Sequence, residues 1–391
     1  MKYSDRAQAI SPFYAMEFGD AASALELQGK SIIRLNLGEP DFGAPPLVKK
    51  AMLNAVKNNE MRYTSALGDP ILREKIAAFY QSQHGITISA SRVVVTAGAS
   101  AALMLACAAV VNPGDAVIMN DPSYPCNRQF VNTFNGRVKL VPTDASTRFQ
   151  LTMSQIEEHW DSSIKALMLA TPSNPTGTSI KLDDLNDICH FAAGKGAWRI
   201  VDEIYLNLCD GERETAQSVL AVDDGALVVN SFSKFFGLTG WRLGWLIVPE
   251  DMVPVIEKLS QNLYICPSTP AQIAARACFE KDSIDECESR NRTLIQRRKL
   301  VLCELSGCAL QVPVKPDGAF YVYLDISATN LDSMEFCRRL LSEKGVAMTP
   351  GIDFGLAEGH KYIRLSYATN EDALLEGMRR LREFVNNLAD V

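Results

Sequence analysis

The sequence predicts an α/β fold built on a mostly parallel β-sheet, and three observations carry that expectation. Apolar stretches of strand length alternate with stretches of helical period along most of the chain. Those strand-like stretches are apolar at nearly every position, as strands covered on both faces are. Polar, glycine-bearing junctions such as "TAGAS" and "SNPTG" follow them directly, where a strand hands over to a helix.

The elements follow in order. "DPILREKIAAFYQSQHG" is a helix with Asp69 as cap, Pro70 at its first position and Gly85 as stop. Leu72, Ile76 and Phe79 recur on one face of it. "RVVVTAG" is a strand that feeds the apolar helix of "SAALMLACAAVV", a run too short to span a bilayer. "DAVIMN", "RVKLVP" and "IKALMLA" are strands, the last followed by "SNPTG" and the helix "LDDLNDICHFAAG". "WRIVDE", "ALVVNS" and "GWLIV" are further strands. After about residue 285 the pattern changes to strands "GAFYVYLDI", "GVAMTPG" and "KYIRLSYA" with helices between them. In the last helix Thr369 and Asp372 form a candidate capping box, and Leu374, Met378, Leu381, Val385 and Leu388 line one face. The expected organisation is a segment 1–45, including the interlobe loop "LGEPDFGAPP", that packs with a small domain 286–391, and a large domain 46–285.

Composition excludes several classes of function. Of 391 residues 47% are hydrophobic and 22% charged, as in a soluble globular protein with a sizeable core. The net charge is -7 with both signs mixed along the chain, so no nucleic-acid face is expected. "MKYSDRAQAISPFYAM" has no apolar core of a signal peptide. Ten cysteines without a CxxC pair and four histidines without HExxH argue against zinc, any other metal and disulfides, and for reduced thiols in the cytoplasm.

Ligands of open α/β sheets bind beyond the carboxyl ends of the strands. Here Gly98, Ala99 and Ser100 follow "RVVVT", Tyr124 follows "DAVIM" and Asn174 follows "IKALMLA". Asp202 closes "WRIVD", and Ser231 and Lys234 follow "ALVV". Lys234 and Arg242 stand in "NSFSKFFGLTGWRLGWLIV", which is otherwise almost wholly apolar, small or hydroxylic. A buried charge without a partner is costly. A lysine that gives up its charge readily forms a Schiff base with an aldehyde. Pyridoxal phosphate is such an aldehyde, and it needs a lysine, an acid on its pyridine nitrogen, a phosphate cradle and a group against its ring. Lys234 and Asp202 supply the first two; the helix start after "TAGAS", with Ser231 and Arg242, supplies the third. Gly237, Gly240 and Gly244 allow the turns that bring Lys234 and Arg242 to one molecule.

"SFSKFFGLTGWRLG" resembles the lysine signature of the class I/II aminotransferases, fold type I pyridoxal-phosphate enzymes. "LGEPDF", "SNPTG", "DEIY" and "IRLSYA" stand in that family's order, so the resemblance runs from about Ile32 to the C-terminus. It implies a large domain with a mostly parallel seven-stranded sheet between helices and a smaller α+β domain. It implies that Lys234 forms the internal aldimine and moves the proton, that Asp202 pairs with the pyridine nitrogen, and that Asn174 and Tyr205 bond the ring's phenolic oxygen. Tyr124 would stack on the ring; Gly98, Ala99, Ser100, Ser231 and Arg242 would bind the phosphate. Arg364, Asn174 and the backbone near Gly38 would hold the substrate carboxylate. The family forms homodimers, and Tyr63 would reach the phosphate in the other subunit. Independently of the resemblance, strand alternation in "YIRLSY" sets Arg364 opposite Ile363 and Leu365, free to meet a ligand.

The implied activity is ping-pong transfer of an amino group from an L-amino acid to a 2-oxo acid. A C–S β-lyase on the same cofactor is the runner-up. A non-catalytic pyridoxal-phosphate-binding regulator is a third reading, weakened by the absence of a helix-turn-helix pattern before Ile32. Some family members that accept dicarboxylic acids carry a lysine where Ser100 stands, and others use an arginine of the partner subunit. Phe13, Tyr14 and Glu17 in "SPFYAMEFGD" are expected to pack in an N-terminal helix, with shaping of the pocket as their alternative. Ser233 reads as a loop support and Arg128 as a surface charge.

Overall fold

The computed structural model describes residues 1–210 and 216–389. In chain order its strands are β1 (Ile33–Arg34), β2 (Val93–Thr96), β3 (Ala116–Asp121), β4 (Arg137–Pro142), β5 (Ile164–Ala170), β6 (Trp198–Asp202), β7 (Leu227–Ser231), β8 (Gly244–Ile247), β9 (Tyr321–Asp325), β10 (Val346–Ala347), β11 (Thr349–Pro350) and β12 (Tyr362–Ser366). A seven-stranded sheet runs in the order β2-β8-β7-β6-β5-β3-β4. Within it only β8 runs antiparallel to its neighbours, β2 and β7; the other pairs are parallel. The expected mostly parallel, seven-stranded sheet is the one observed.

Strand alternation divides the core into two layers. Val93, Val95, Ile118, Leu167, Val201 and Trp245 face the layer that holds helices Pro70–His84 and Leu182–Gly194. Val94, Val117, Met168, Ile200, Val229 and Leu246 face the layer of helices Ala99–Val110 and Val253–Leu263. Because both strand faces meet apolar helices, the strands read as continuous apolar runs. Leu72, Ile76 and Phe79 are buried as their spacing predicts. Asp69 accepts a hydrogen bond from Leu72 N at 2.8 Å, and Gly85 ends the helix at φ +68°.

The chain's two ends meet. β1 pairs in parallel with β10, while β11, β12 and β9 form an antiparallel sheet. Ser366 N donates to Leu35 O at 2.8 Å, so the segment after β1 lies beside the end of β12. "GVAMTPG", expected as one strand, splits into β10 and β11, because the first half pairs with β1 and the second with β12. The pattern change near residue 285 falls inside one continuous helix, Lys281–Leu305, so no loop marks that boundary. The last helix spans Glu371–Ala389. Its start is capped by Asn370, whose Oδ1 accepts from Ala373 N at 2.9 Å, and not by the expected Thr369–Asp372 box. Asparagine is as good a cap as threonine and stands one residue nearer the helix. Leu374, Met378, Leu381 and Val385 are buried as expected; Leu388 is only partly covered, and Phe384 completes the stripe.

Asp69 also holds Arg276, whose Nε lies 2.9 Å from its Oδ1. Replacing Asp69 with alanine removes a cap and strands a half-buried cation, at a cost of about 2 kcal/mol. We expect a lower urea midpoint for Asp69→Ala and a smaller loss for Asp69→Asn, which keeps the cap; an unchanged midpoint for both would contradict this assignment.

Candidate active site

A cavity of about 310 Å³ opens beyond the carboxyl ends of β5, β6 and β7, where Ala170, Asp202 and Ser231 line it. Among the predicted site residues Gly38, Ala99, Ser100, Tyr124, Asn174, Asp202, Tyr205, Ser231, Lys234, Arg242 and Arg364 all line this one space. Gly98 stands just behind it as the residue before helix Ala99–Val110. Tyr63 lies outside it and is 78% exposed.

Lys234 is fixed by its neighbours in sequence. Phe232, Phe235 and Phe236 are buried, and Phe236 packs against Phe79 and Phe279 with centroids 5.7 and 5.4 Å away. The loop can turn because Gly237 adopts φ +68° with the carbonyls of Phe42 and Gly43 at 3.0 Å from where a Cβ would stand. At Gly240 nothing approaches, so no tight turn there needs glycine, contrary to the sequence expectation. Lys234 Nζ donates to Gly38 O and lies 5.9 Å from the Tyr205 ring. Burial pulls its pKa down to about 8, helped by the Arg364 and Arg242 cations and opposed by Glu39 and Asp202.

Asp202 ends β6 and is buried. Its Oδ1 accepts from Ile204 N at 3.0 Å. Burial pushes its pKa up to about 6 against the pull of that N–H and of Lys234. Tyr205 is buried, and its hydroxyl lies 2.8 Å from that of Tyr321. Tyr124 meets Phe13 edge-on, with centroids 6.1 Å apart.

Arg364 is the most unusual group in the cavity. It is 2% exposed. Its Nη1 donates to Asn174 Oδ1 at 2.8 Å and its Nη2 to Asn36 O at 2.7 Å. The guanidinium lies 4.4 Å from the Tyr321 ring centroid and 4.7 Å from that of Phe354. Its Nε makes no hydrogen bond, and no acidic side chain among the described residues pairs with it. Ile363 and Leu365 enter the core on the other side, as the alternation predicts.

The far end of the cavity is a cradle. Gly98 adopts φ +84°, and a Cβ there would stand 2.6 Å from Arg242 Nη2. A Cβ on Gly244 would stand 2.8 Å from Gly98 C and 2.9 Å from Ala99 N. Two glycines thus let the guanidinium and a strand close on the start of helix Ala99–Val110. The first N–H groups of a helix lack internal partners and favour an anion. Ser231 Oγ lies 2.9 Å from Ser233 Oγ, and Arg242 Nη1 donates to Thr239 O at 2.9 Å. Hydroxyls, free N–H groups and an arginine fit a phosphate monoester. A buried carboxylate at the carboxyl end of the sheet's central strand fits a protonated ring nitrogen, and a lysine of lowered pKa fits an aldehyde. The donor set therefore fits pyridoxal phosphate.

The residues that sequence reasoning missed are Tyr321, Asn36 and Thr349, the last of which accepts from Arg364 Nη2 through its Oγ1 at 3.3 Å. Tyr321 touches Tyr205 and Arg364, and its hydroxyl blocks any side chain at Gly38. The alternation of Tyr321 and Tyr323 with Val322 and Leu324 was its available signal. Asn36 acts through its carbonyl, which leaves no mark in a sequence. Phe13, Ala15 and Met16 line the cavity, whereas Tyr14 and Glu17 do not. Arg128 is no surface charge: it is half-buried outside the cavity, with Nη2 donating to Asp353 O at 2.9 Å. Ser233 supports Ser231, as expected, and also lines the cavity.

The sequence model of the family "Aminotransferase class I and II" matches residues 30–381. The chain belongs to the class I and II aminotransferases. A valine–pyruvate aminotransferase of Mycobacterium tuberculosis is 37% identical over 95% of this chain and 96% of its own. An aspartate aminotransferase of Sulfolobus acidocaldarius is 32% identical over 99% of this chain and 98% of its own. The crystal structure of an aminotransferase from Mycobacterium tuberculosis superposes with a TM-score of 0.96 at 36% identity, covering 99% of this chain and 100% of that one. The chain is thus a transaminase of fold type I, and its cofactor is pyridoxal 5'-phosphate.

Arg364 is one cause of the depressed lysine pKa, which gives a test on cofactor-free enzyme. The neutral, reactive fraction of Lys234 should rise through about pH 8. Replacing Arg364 with leucine removes a repelling cation and should move that midpoint upward. Mass-spectrometric measurement of Lys234 labelling by an amine reagent against pH reads both values. A wild-type midpoint near that of a free lysine would contradict the assignment.

Proposed function

We propose that this aminotransferase moves the amino group of an L-amino acid to a 2-oxo acid in two half-reactions, with Lys234 as the covalent anchor and proton carrier. One observation carries the reading: a lysine of lowered pKa and a buried arginine that no acidic side chain of the described residues pairs with face the same cavity. A buried guanidinium needs an anion, and an amino-acid carboxylate supplies one in bidentate form.

When bound, pyridoxal phosphate supplies an electron sink for the pair released as the Cα–H bond breaks. The chain does the rest. Ala99 and Ser100 with Gly98, and Ser231 with Arg242, hold the phosphate at the helix start. Asp202 keeps the ring nitrogen protonated. Asn174 and Tyr205 bond the ring oxygen, and Tyr124 covers the ring face. Arg364, with Asn174 and the N–H side of Gly38, fixes the substrate carboxylate, which sets the Cα–H bond toward Lys234. Lys234 Nζ, neutral once the amino acid has replaced it, takes the Cα proton and returns it on the cofactor side. Because the lysine is tethered, positioning supplies much of the rate.

The two-domain division at about 45 and 285, a homodimer and a cytoplasmic location belong to the same proposal. The exposed Met61, Tyr63, Leu263 and Ile265 support a subunit interface that would carry Tyr63 to the partner's phosphate. Free cysteines among the described residues, and the lack there of any helix long and apolar enough to cross a membrane, are compatible with that compartment.

In purified, cofactor-loaded enzyme, Lys234→Ala should lose the visible band of a lysine-linked cofactor and at least about a thousandfold in turnover. Arg364→Lys should keep the band and raise KM for the amino acid about tenfold to a hundredfold, since the bidentate contact is lost. Release of pyruvate and thiol from a sulfur amino acid without any 2-oxo acceptor would favour elimination and contradict the transfer reading.

A further inference from the structure

The relatives' names point to different amino donors, but the cavity of this chain has a side-chain end of its own. Three cations line it, Lys234, Arg242 and Arg364. In the reading above, on which this inference rests, Lys234 serves the cofactor, Arg242 its phosphate and Arg364 the α-carboxylate. No cation of the described residues remains in the lining for a second carboxylate. Arg128 is not among the lining residues, and its Nη2 donates to the Asp353 carbonyl at 2.9 Å.

What flanks Arg364 instead is apolar. Asn36 ties the two together: its carbonyl accepts from Arg364 Nη2 at 2.7 Å, and its side-chain amide donates to Ala15 O at 3.2 Å. The turn that carries Phe13 and Met16 is further pinned by Asp353, whose carboxylate accepts from Tyr14 N and Ala15 N at 3.1 Å each. Phe13 thus meets Tyr124 edge-on in the lining, and Met16 and Leu37 line the same cavity while presenting exposed apolar surface. The lining also holds an acid, Glu39, which accepts a hydrogen bond from Thr239 Oγ1 and repels an incoming anion.

We infer that the donor side chain is uncharged and apolar, aliphatic or aromatic, and that Phe13, Met16 and Leu37 are the residues that select it. A distal carboxylate placed there would lose water and gain no partner, which makes dicarboxylic amino acids poor donors. A flexible thioether and an edge-on phenyl ring accommodate branched and planar chains alike.

The test is a single-turnover half-reaction of the cofactor-loaded enzyme, followed by absorbance, with valine, leucine, methionine, phenylalanine, alanine, aspartate and glutamate. The expected ratio of rate constant to Kd favours leucine or phenylalanine over aspartate and glutamate by about a hundredfold or more. Phe13→Ala should cost leucine about tenfold more than it costs alanine. Calorimetry gives a second readout without turnover: 4-methylpentanoate should bind the loaded enzyme at least about tenfold more tightly than succinate. Aspartate or glutamate reacting as fast as leucine would overturn the inference, with transamination intact, and would mean that a cation of the partner subunit reaches this mouth. Failure of all seven amino acids to react would instead overturn the residue roles proposed above for amino transfer, and this inference with them.

Discussion

The buried charge of Arg364, which no acidic side chain of the described residues pairs by hydrogen bond, is the constraint on which the rest of the site depends. A guanidinium removed from water without a counter-ion costs several kcal/mol even after relaxation. Here that cost is met only in part, by the oxygen of Asn174, the carbonyl of Asn36, the hydroxyl of Thr349 and two aromatic faces. The remaining demand is for an anion in the cavity. The same charge reaches across the cavity to Lys234 and, after burial, is the largest influence that lowers its pKa. One unpaired cation therefore prepares both the seat of the substrate and the reactivity of the nucleophile.

Holding such a group requires that distant parts of the chain close around it. β12 carries Arg364, the segment after β1 brings Asn36, the loop after β5 brings Asn174, and β9 brings Tyr321. Two sheets and the N-terminal segment thus meet at one guanidinium. At the other end of the cavity Gly98 and Gly244 let the start of a helix, a strand and Arg242 come closer than any side chain would permit. The seven-stranded sheet is the frame that fixes the distance between these two ends, with Asp202 at the carboxyl end of its central strand.

How much of this was legible follows from what each residue shows in a sequence. The strands and the helix at Pro70–His84 were plain because burial on both faces leaves long apolar runs, and because Asp69, Pro70 and Gly85 mark the helix ends. Lys234, Asp202 and Asn174 were plain because polar groups that follow apolar strands stand out. The cap at Asn370 was misplaced by one residue, since Thr369 and Asn370 are both good caps and only backbone direction separates them. Tyr321 looked like one more strand aromatic, and Asn36 works through a carbonyl that every residue has. Arg128 looked like any surface charge, because nothing local says that Asp353 will cover it. The split of "GVAMTPG" depended on two partner strands far away in the chain.

The most direct test is a crystal structure of the cofactor-loaded enzyme with a 2-methyl amino acid, which lacks the proton that Lys234 would remove. The account predicts a carboxylate paired with both Nη atoms of Arg364, a phosphate against Gly98–Ser100 and Arg242, and Lys234 Nζ facing the methyl position on Cα. A carboxylate bound elsewhere, with Arg364 still holding only Asn174, Asn36 and Thr349, would contradict it.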